Sequence, residues 1–110
     1  MDQMGNVTPM IKIAVLYGHP VDPQAFERYY EQKHLPLASK MNGVARLELT
    51  RFGPSPDGSK PAYYRMAELY FDSEAQAQTT LGSPEGKATV ADLPNFATGG
   101  VTLLAGSVET

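Results

Sequence analysis

At 110 residues the chain is long enough for one hydrophobic core and too short for two, and 42% hydrophobic with 19% charged residues excludes a disordered class. A net charge of −3 without any basic cluster argues against nucleic acid or an anionic membrane as partner, and no stretch is apolar over the length of a membrane span. The absence of cysteine excludes disulfides, thiolate nucleophiles, iron–sulfur clusters and cysteine-based zinc sites, and leaves only His19 and His34 as histidine ligands for any metal.

Residues 1–9 lack periodicity and read as a flexible N-terminal arm, with Met10 an alternative start; residues 10–110 read as a single domain. The first residues carry no hydrophobic run of signal-peptide type, so a cytoplasmic protein is expected. Met10–Tyr17 is the first predicted strand. Ile11, Ile13 and Val15 share one face and Lys12, Ala14 and Leu16 the other, which predicts a sheet covered on both sides. Gly18-His19-Pro20 ends the strand.

Asp22-Pro23 is a helix start, because the carboxylate caps free amides and proline has no N–H to leave unpaired in the first turn. From there Phe26, Tyr30, Lys33, His34, Leu37 and Met41 fall on one side of a helical spiral, opposite Glu27, Arg28, Glu31 and Gln32. Pro36 cannot donate to the carbonyl of Gln32 and disfavours helical geometry at Leu35. The helix is therefore expected to kink or end there, with His34 in or beside its last regular turn. His34 reads either as a core or capping histidine or as a proton-transfer group at the mouth of a pocket.

Asn42-Gly43 is a stop signal, followed by a strand over Val44–Phe52, a Gly- and Pro-rich loop to Pro61, and a third strand over Tyr63–Phe71. Ser73-Glu74-Ala75-Gln76 is a capping box opening a helix to about Leu81. Ser83-Pro84 restarts it to about Ala91, and Val101–Val108 closes the chain as a fourth strand. The order β-α-β-β-α-β predicts an α+β, ferredoxin-like arrangement, a four-stranded antiparallel sheet with its helices on one face.

Helices on one face leave the other to water. That face would present Leu16, Arg46, Glu48, Met66, Glu68, Tyr70 and Leu104, a set too apolar to stay exposed comfortably. A homodimer with sheets face to face, enclosing an apolar cavity for a small molecule, is the expected solution. Leu16, Phe26, Met66, Glu68 and Tyr70 are the pocket candidates, with His19 at the rim.

The run Phe26-x-x-Tyr29-Tyr30-x-x-x-His34-x-Pro36-Leu37-Ala38, after a strand and an Asp22-Pro23 helix start, resembles the EthD family of the dimeric α+β barrel superfamily. Ser83-Pro84-Glu85-Gly86 and Asp92-Leu93-Pro94-Asn95-Phe96 are also similar to this group. The family takes its name from bacterial ethyl tert-butyl ether degradation. The resemblance implies a ferredoxin-like protomer pairing through its sheet, as in cofactor-independent muconolactone isomerases and fungal dehydratases or decarboxylases acting on aromatic polyketides. The superfamily also holds cofactor-free monooxygenases and haem-binding members, so haem is possible by that analogy alone and no cofactor is expected.

Under the resemblance the motif histidine is His34 and the tyrosine before it Tyr30. Both are catalytic candidates: His34 because its ordinary pKa lies near neutrality, Tyr30 as a group one turn away that orients the ring or donates to a substrate oxygen. Tyr29 reads as packing. Two function classes follow. One is a cofactor-free isomerase, dehydratase/decarboxylase or monooxygenase on a cyclic or aromatic apolar metabolite, working by His-mediated proton transfer. The other is a non-catalytic binding or accessory protein, the companion of an oxygenase in a degradation pathway.

Overall fold

The structure, a computed structural model, describes residues 9–109. Apart from Pro9, the arm assigned to residues 1–9 lies outside them. The strands are β1 (Ile11–Tyr17), β2 (Arg46–Arg51), β3 (Arg65–Phe71) and β4 (Val101–Ser107). They form one antiparallel sheet in the order β2-β3-β1-β4, with β1 pairing β3 and β4, and β2 pairing β3. The helices are α1 (Pro23–Tyr29), α2 (Leu35–Ala38), α3 (Glu74–Gly82) and α4 (Pro84–Asp92). The predicted ferredoxin-like fold is the observed one.

Caps fall where the sequence signals them. Asp22 accepts from the amides of Gln24 and Ala25, Ser73 from Gln76, and Ser83 from Gly86. The Asn42-Gly43 stop is fixed by Thr80, whose hydroxyl donates to the Asn42 carbonyl at 2.6 Å. Gly43 sits at φ 99°, and a Cβ there would strike the side chains of Gln76 and Thr80.

Register sets which side chains meet. The pairings Leu47↔Leu69, Ile13↔Leu69, Leu49↔Ala67 and Val15↔Ala67 place one apolar row under the helices. There Tyr17, Phe26, Tyr30, Leu69, Phe71, Ala77, Leu93 and Phe96 form the core, with Tyr17 and Phe71 essentially closed to solvent. Tyr17, Phe26, Tyr30 and Phe96 pack ring to ring at centroid distances of 5.1–5.8 Å, mostly edge-on or tilted. The helix-free face carries the set expected from alternation. Lys12 pairs with Glu68 at 2.9 Å, Arg46 with Glu48 at 3.2 Å, and the Arg46 guanidinium lies 4.2 Å from the Tyr70 ring centre.

The long helix departs from expectation at Pro36. It does not end there: helical geometry runs on to Ala38. The segment Tyr30–His34 widens into a π-turn, in which the Leu35 amide reaches back five residues to the Tyr30 carbonyl, and α2 follows directly. Pro36 then occupies the first turn of α2, so the donor it lacks is absorbed by a local change of hydrogen-bond span instead of a break. The π-turn also shifts register, which leaves Lys33 exposed instead of on the apolar stripe. Glu27 is not freely solvated as expected: it accepts from Tyr64 at 2.7 Å and from two Arg65 nitrogens at 3.2 and 2.8 Å, tying α1 to the start of β3.

Candidate active site

The π-turn places Tyr30 and His34 on the helix face that looks at the sheet. Both are buried, and their rings stack with centroids 5.8 Å apart and planes 17° from parallel. Between them and the sheet runs a groove of about 390 Å³, large enough for a small organic molecule. Its floor is Ile13, Val15, Ala67 and Leu69, and Leu35, Met41, Val90 and Leu93 stand among its walls. Tyr17, Tyr30, His34, Ser39, Arg46 and Thr89 are its residues with polar side chains.

Behind His34, away from the groove, lies Asp92. His34 Nδ1 and Asp92 Oδ2 are 2.9 Å apart, while Tyr29 and Asn95 donate to Asp92 Oδ1 at 2.7 and 3.0 Å. Burial disfavours the Asp92 carboxylate, as does its place at the C-terminal end of α4, where the helix dipole is negative. The donors from Tyr29, Asn95 and His34 more than offset this, and the carboxyl is held below its ordinary range. An ionised Asp92 has no proton to give. The shared hydrogen bond therefore comes from His34 Nδ1–H, and in a neutral imidazole with that proton on Nδ1 the acceptor is Nε2. Phe96, 4.6 Å from the imidazole and stacked on Tyr29 at 5.3 Å, fixes both rings from behind.

The structure thus brings Tyr30 and His34 together and separates them from the other candidates. Leu16, Met66, Glu68 and Tyr70 lie on the helix-free face and do not line this groove, because strand alternation points them away from the helix that carries His34. The groove is a helix–sheet cleft within one chain, and not, as expected, a space between two sheets. Phe26 is a core side chain, edge-on to Tyr17 and Tyr64, and not a groove wall. His19 is a loop histidine: its Nε2 is 2.8 Å from the Pro61 carbonyl, linking the end of β1 to the β2–β3 loop.

Sequence reasoning missed Asp92, Tyr17 and Asn95 as site residues and gave Tyr29 packing alone. Asp92 is 58 positions from His34, and no local pattern announces the pair. The one available signal was an unpaired carboxylate at a helix end followed by Asn95. Among the described residues no helix is long and apolar enough to cross a membrane.

A ferredoxin-like α+β chain with a partly buried aspartate–histidine pair beside an apolar groove is a small-molecule protein. The EthD domain model matches residues 18–100. The crystal structure of an ethyl tert-butyl ether degradation (EthD) family protein from Bacillus halodurans is 36% identical, covering 91% of this chain and 99% of that one with a TM-score of 0.85. An uncharacterised 11.0 kDa protein of Rhodococcus erythropolis, from the thcB–thcC intergenic region, is 43% identical over 92% of this chain and 97% of its own length. The chain belongs to the EthD family. A hydroxynitrile lyase from Passiflora edulis shares the fold, at a TM-score of 0.72 and 10% identity over 92% of this chain and 94% of its own.

Proposed function

We propose that this chain is a cofactor-independent enzyme that moves a proton on a cyclic or aromatic apolar metabolite, with His34 as the group that takes and returns it. The observation that carries the reading is the 2.9 Å contact between His34 Nδ1 and the Asp92 carboxylate. A carboxylate on Nδ1 fixes the ring, presents Nε2 as an acceptor, and stabilises the imidazolium once the proton arrives. The apolar walls keep water from competing for that proton and strengthen the Asp92–imidazolium attraction. Isomerisation returns the proton to a different carbon of the substrate. Elimination gives it to the departing oxygen or carbon. Neither needs an oxidant or a metal.

The test is turnover on lactones, quinones and phenolic polyketides, read by mass spectrometry for wild type, His34→Ala and His34→Gln. Both variants are expected to lose about two to four orders of magnitude in rate while retaining ligand-induced thermal shifts. A non-catalytic binding or accessory role is the second reading, favoured by how few polar groups the groove offers. Binding by all three proteins with the ligand recovered unchanged would establish it and sink the first.

The reading includes a homodimer. Leu104 is 54% exposed on the helix-free face beside Leu16 and Met66, and a second copy laid on that face covers all of them. Leu104→Glu is expected to halve the mass measured by light scattering with the fold intact; an unchanged mass places the contact elsewhere.

A further inference from the structure

Among the described residues the Tyr30 hydroxyl is the one buried side-chain polar atom without a hydrogen bond of ordinary length, with Tyr17 and Arg65 as its polar neighbours. Native chains avoid this, because an orphaned buried donor carries its full desolvation penalty. The atom is not in a remote corner of the core. Tyr30 is a groove residue one turn before His34, with the Tyr17 ring edge-on to it at 5.7 Å and the Arg65 guanidinium 4.8 Å from its ring centre. Building on the proton-transfer reading of His34, we propose that the Tyr30 hydroxyl binds an oxygen of the substrate, and that the groove selects neutral ketones and phenols over carboxylates.

Selection against carboxylates follows from where the cations are. Arg65 is held by two nitrogens on Glu27, so its charge is already balanced. Arg46, at the groove rim, turns its guanidinium to Glu48 and Tyr70 on the other face. A carboxylate in the groove would lose its hydration with neither arginine free to pair with it, whereas a carbonyl or phenol oxygen needs one donor. Tyr30 remains that donor. Burial pushes its pKa up, against a smaller opposing pull from Arg65, so it stays protonated through the neutral range. The hydroxyl is shielded from water, so the proposal requires the Tyr17 or Tyr30 ring to turn as the ligand enters.

With an enolisable ketone the electrons balance within the site. His34 Nε2 takes the proton from the carbon next to the carbonyl, and the C–H pair becomes a new C=C bond. The carbonyl π pair moves to oxygen, where the Tyr30 O–H meets the developing negative charge. The proton then returns from Nε2–H to carbon. No co-reactant is consumed.

The test uses three probes of one size and shape: 1-tetralone, tetralin and 1,2,3,4-tetrahydro-1-naphthoate. Binding to wild type, Tyr30→Phe and His34→Gln is measured by ligand-observed NMR, and hydrogen–deuterium exchange beside the tetralone carbonyl in D2O by mass spectrometry. Wild type is expected to bind tetralone about tenfold tighter than tetralin and the carboxylate weakest, with Tyr30→Phe binding tetralone and tetralin alike. Tyr30→Phe keeps every ring contact and removes only the orphan group, so its Tm is expected to stay level or rise by a few degrees. An undiminished tetralone preference in Tyr30→Phe, a preference for the carboxylate, or no binding of any probe overturns the proposal. A Tyr30-dependent preference without exchange in wild type upholds the oxygen contact and overturns the His34 reading. Exchange that needs His34 but not Tyr30 does the reverse.

Discussion

Asp92→Asn is expected to remove most activity while leaving the groove in place. The asparagine side chain is the same size, but it carries no charge and offers only one acceptor oxygen to the donors from Tyr29, Asn95 and His34. The imidazolium formed during proton transfer loses its counter-charge, and the tautomer with Nε2 free is no longer enforced. A fall of about two to four orders of magnitude in kcat with little change in KM is the expected signature. Unchanged kcat would mean that His34 acts without the pair, or does not act.

The same substitution has a stability component whose sign follows from linkage. Folding lowers the Asp92 pKa, so the folded chain binds that proton more weakly than the unfolded chain. Its contribution is complete above the ordinary carboxylate range, near about pH 4, and disappears as the pH falls through the lower folded value. Wild type should therefore lose stability more steeply than Asp92→Asn as acid is added, and the two curves should converge at the acid end. Parallel curves across the acid range would show that the hydrogen-bonded carboxylate adds nothing to folding.

The second large effect is in the core. Phe71 ends β3, is wholly closed to solvent and packs with the buried aromatic and aliphatic cluster under the helices. Phe71→Ala is expected to cost about 3–5 kcal/mol, the transfer energy of the ring plus the cavity it leaves. For a chain of this size that is a large part of the about 5–15 kcal/mol available, and it should lower Tm by more than about 10 °C. Chemical denaturation separates the outcomes: a loss under about 1 kcal/mol would mean that the site collapses to fill the hole.

How much of this was legible beforehand depended on how local the determinants are. Strand faces, caps and element order follow from period-2 alternation and from residues such as Asp22, Ser73 and Ser83, whose partners are two or three positions away. Tyr30 and His34 were legible as a pair because a helix brings positions four apart together. The Asp92–His34 contact depends on α4 lying beside the π-turn, and nothing within either segment encodes that distance. The inter-sheet cavity was inferred from the helix-free face, whereas His34 rides a helix packed on the opposite one and lines a cleft within one chain. At Pro36 a kink or an end was expected; a five-residue hydrogen-bond span accommodates the missing donor, and the helix runs on to Ala38.

That wider turn makes the site a matter of chain length. A π-turn is an α-helix carrying one surplus residue, and the residues that bulge here, Glu31, Gln32 and Lys33, all face solvent. Deleting any one of them would let the segment relax to ordinary α-helical spacing. Each residue of such a helix turns by about 100°, so Tyr30 and His34, then three positions apart, would stand about 60° out of line, and His34 would lose its present alignment with Tyr30 and Asp92. A single-codon deletion on the surface would yield a more regular helix in which the Tyr30–His34 stack and the His34–Asp92 contact are no longer held together.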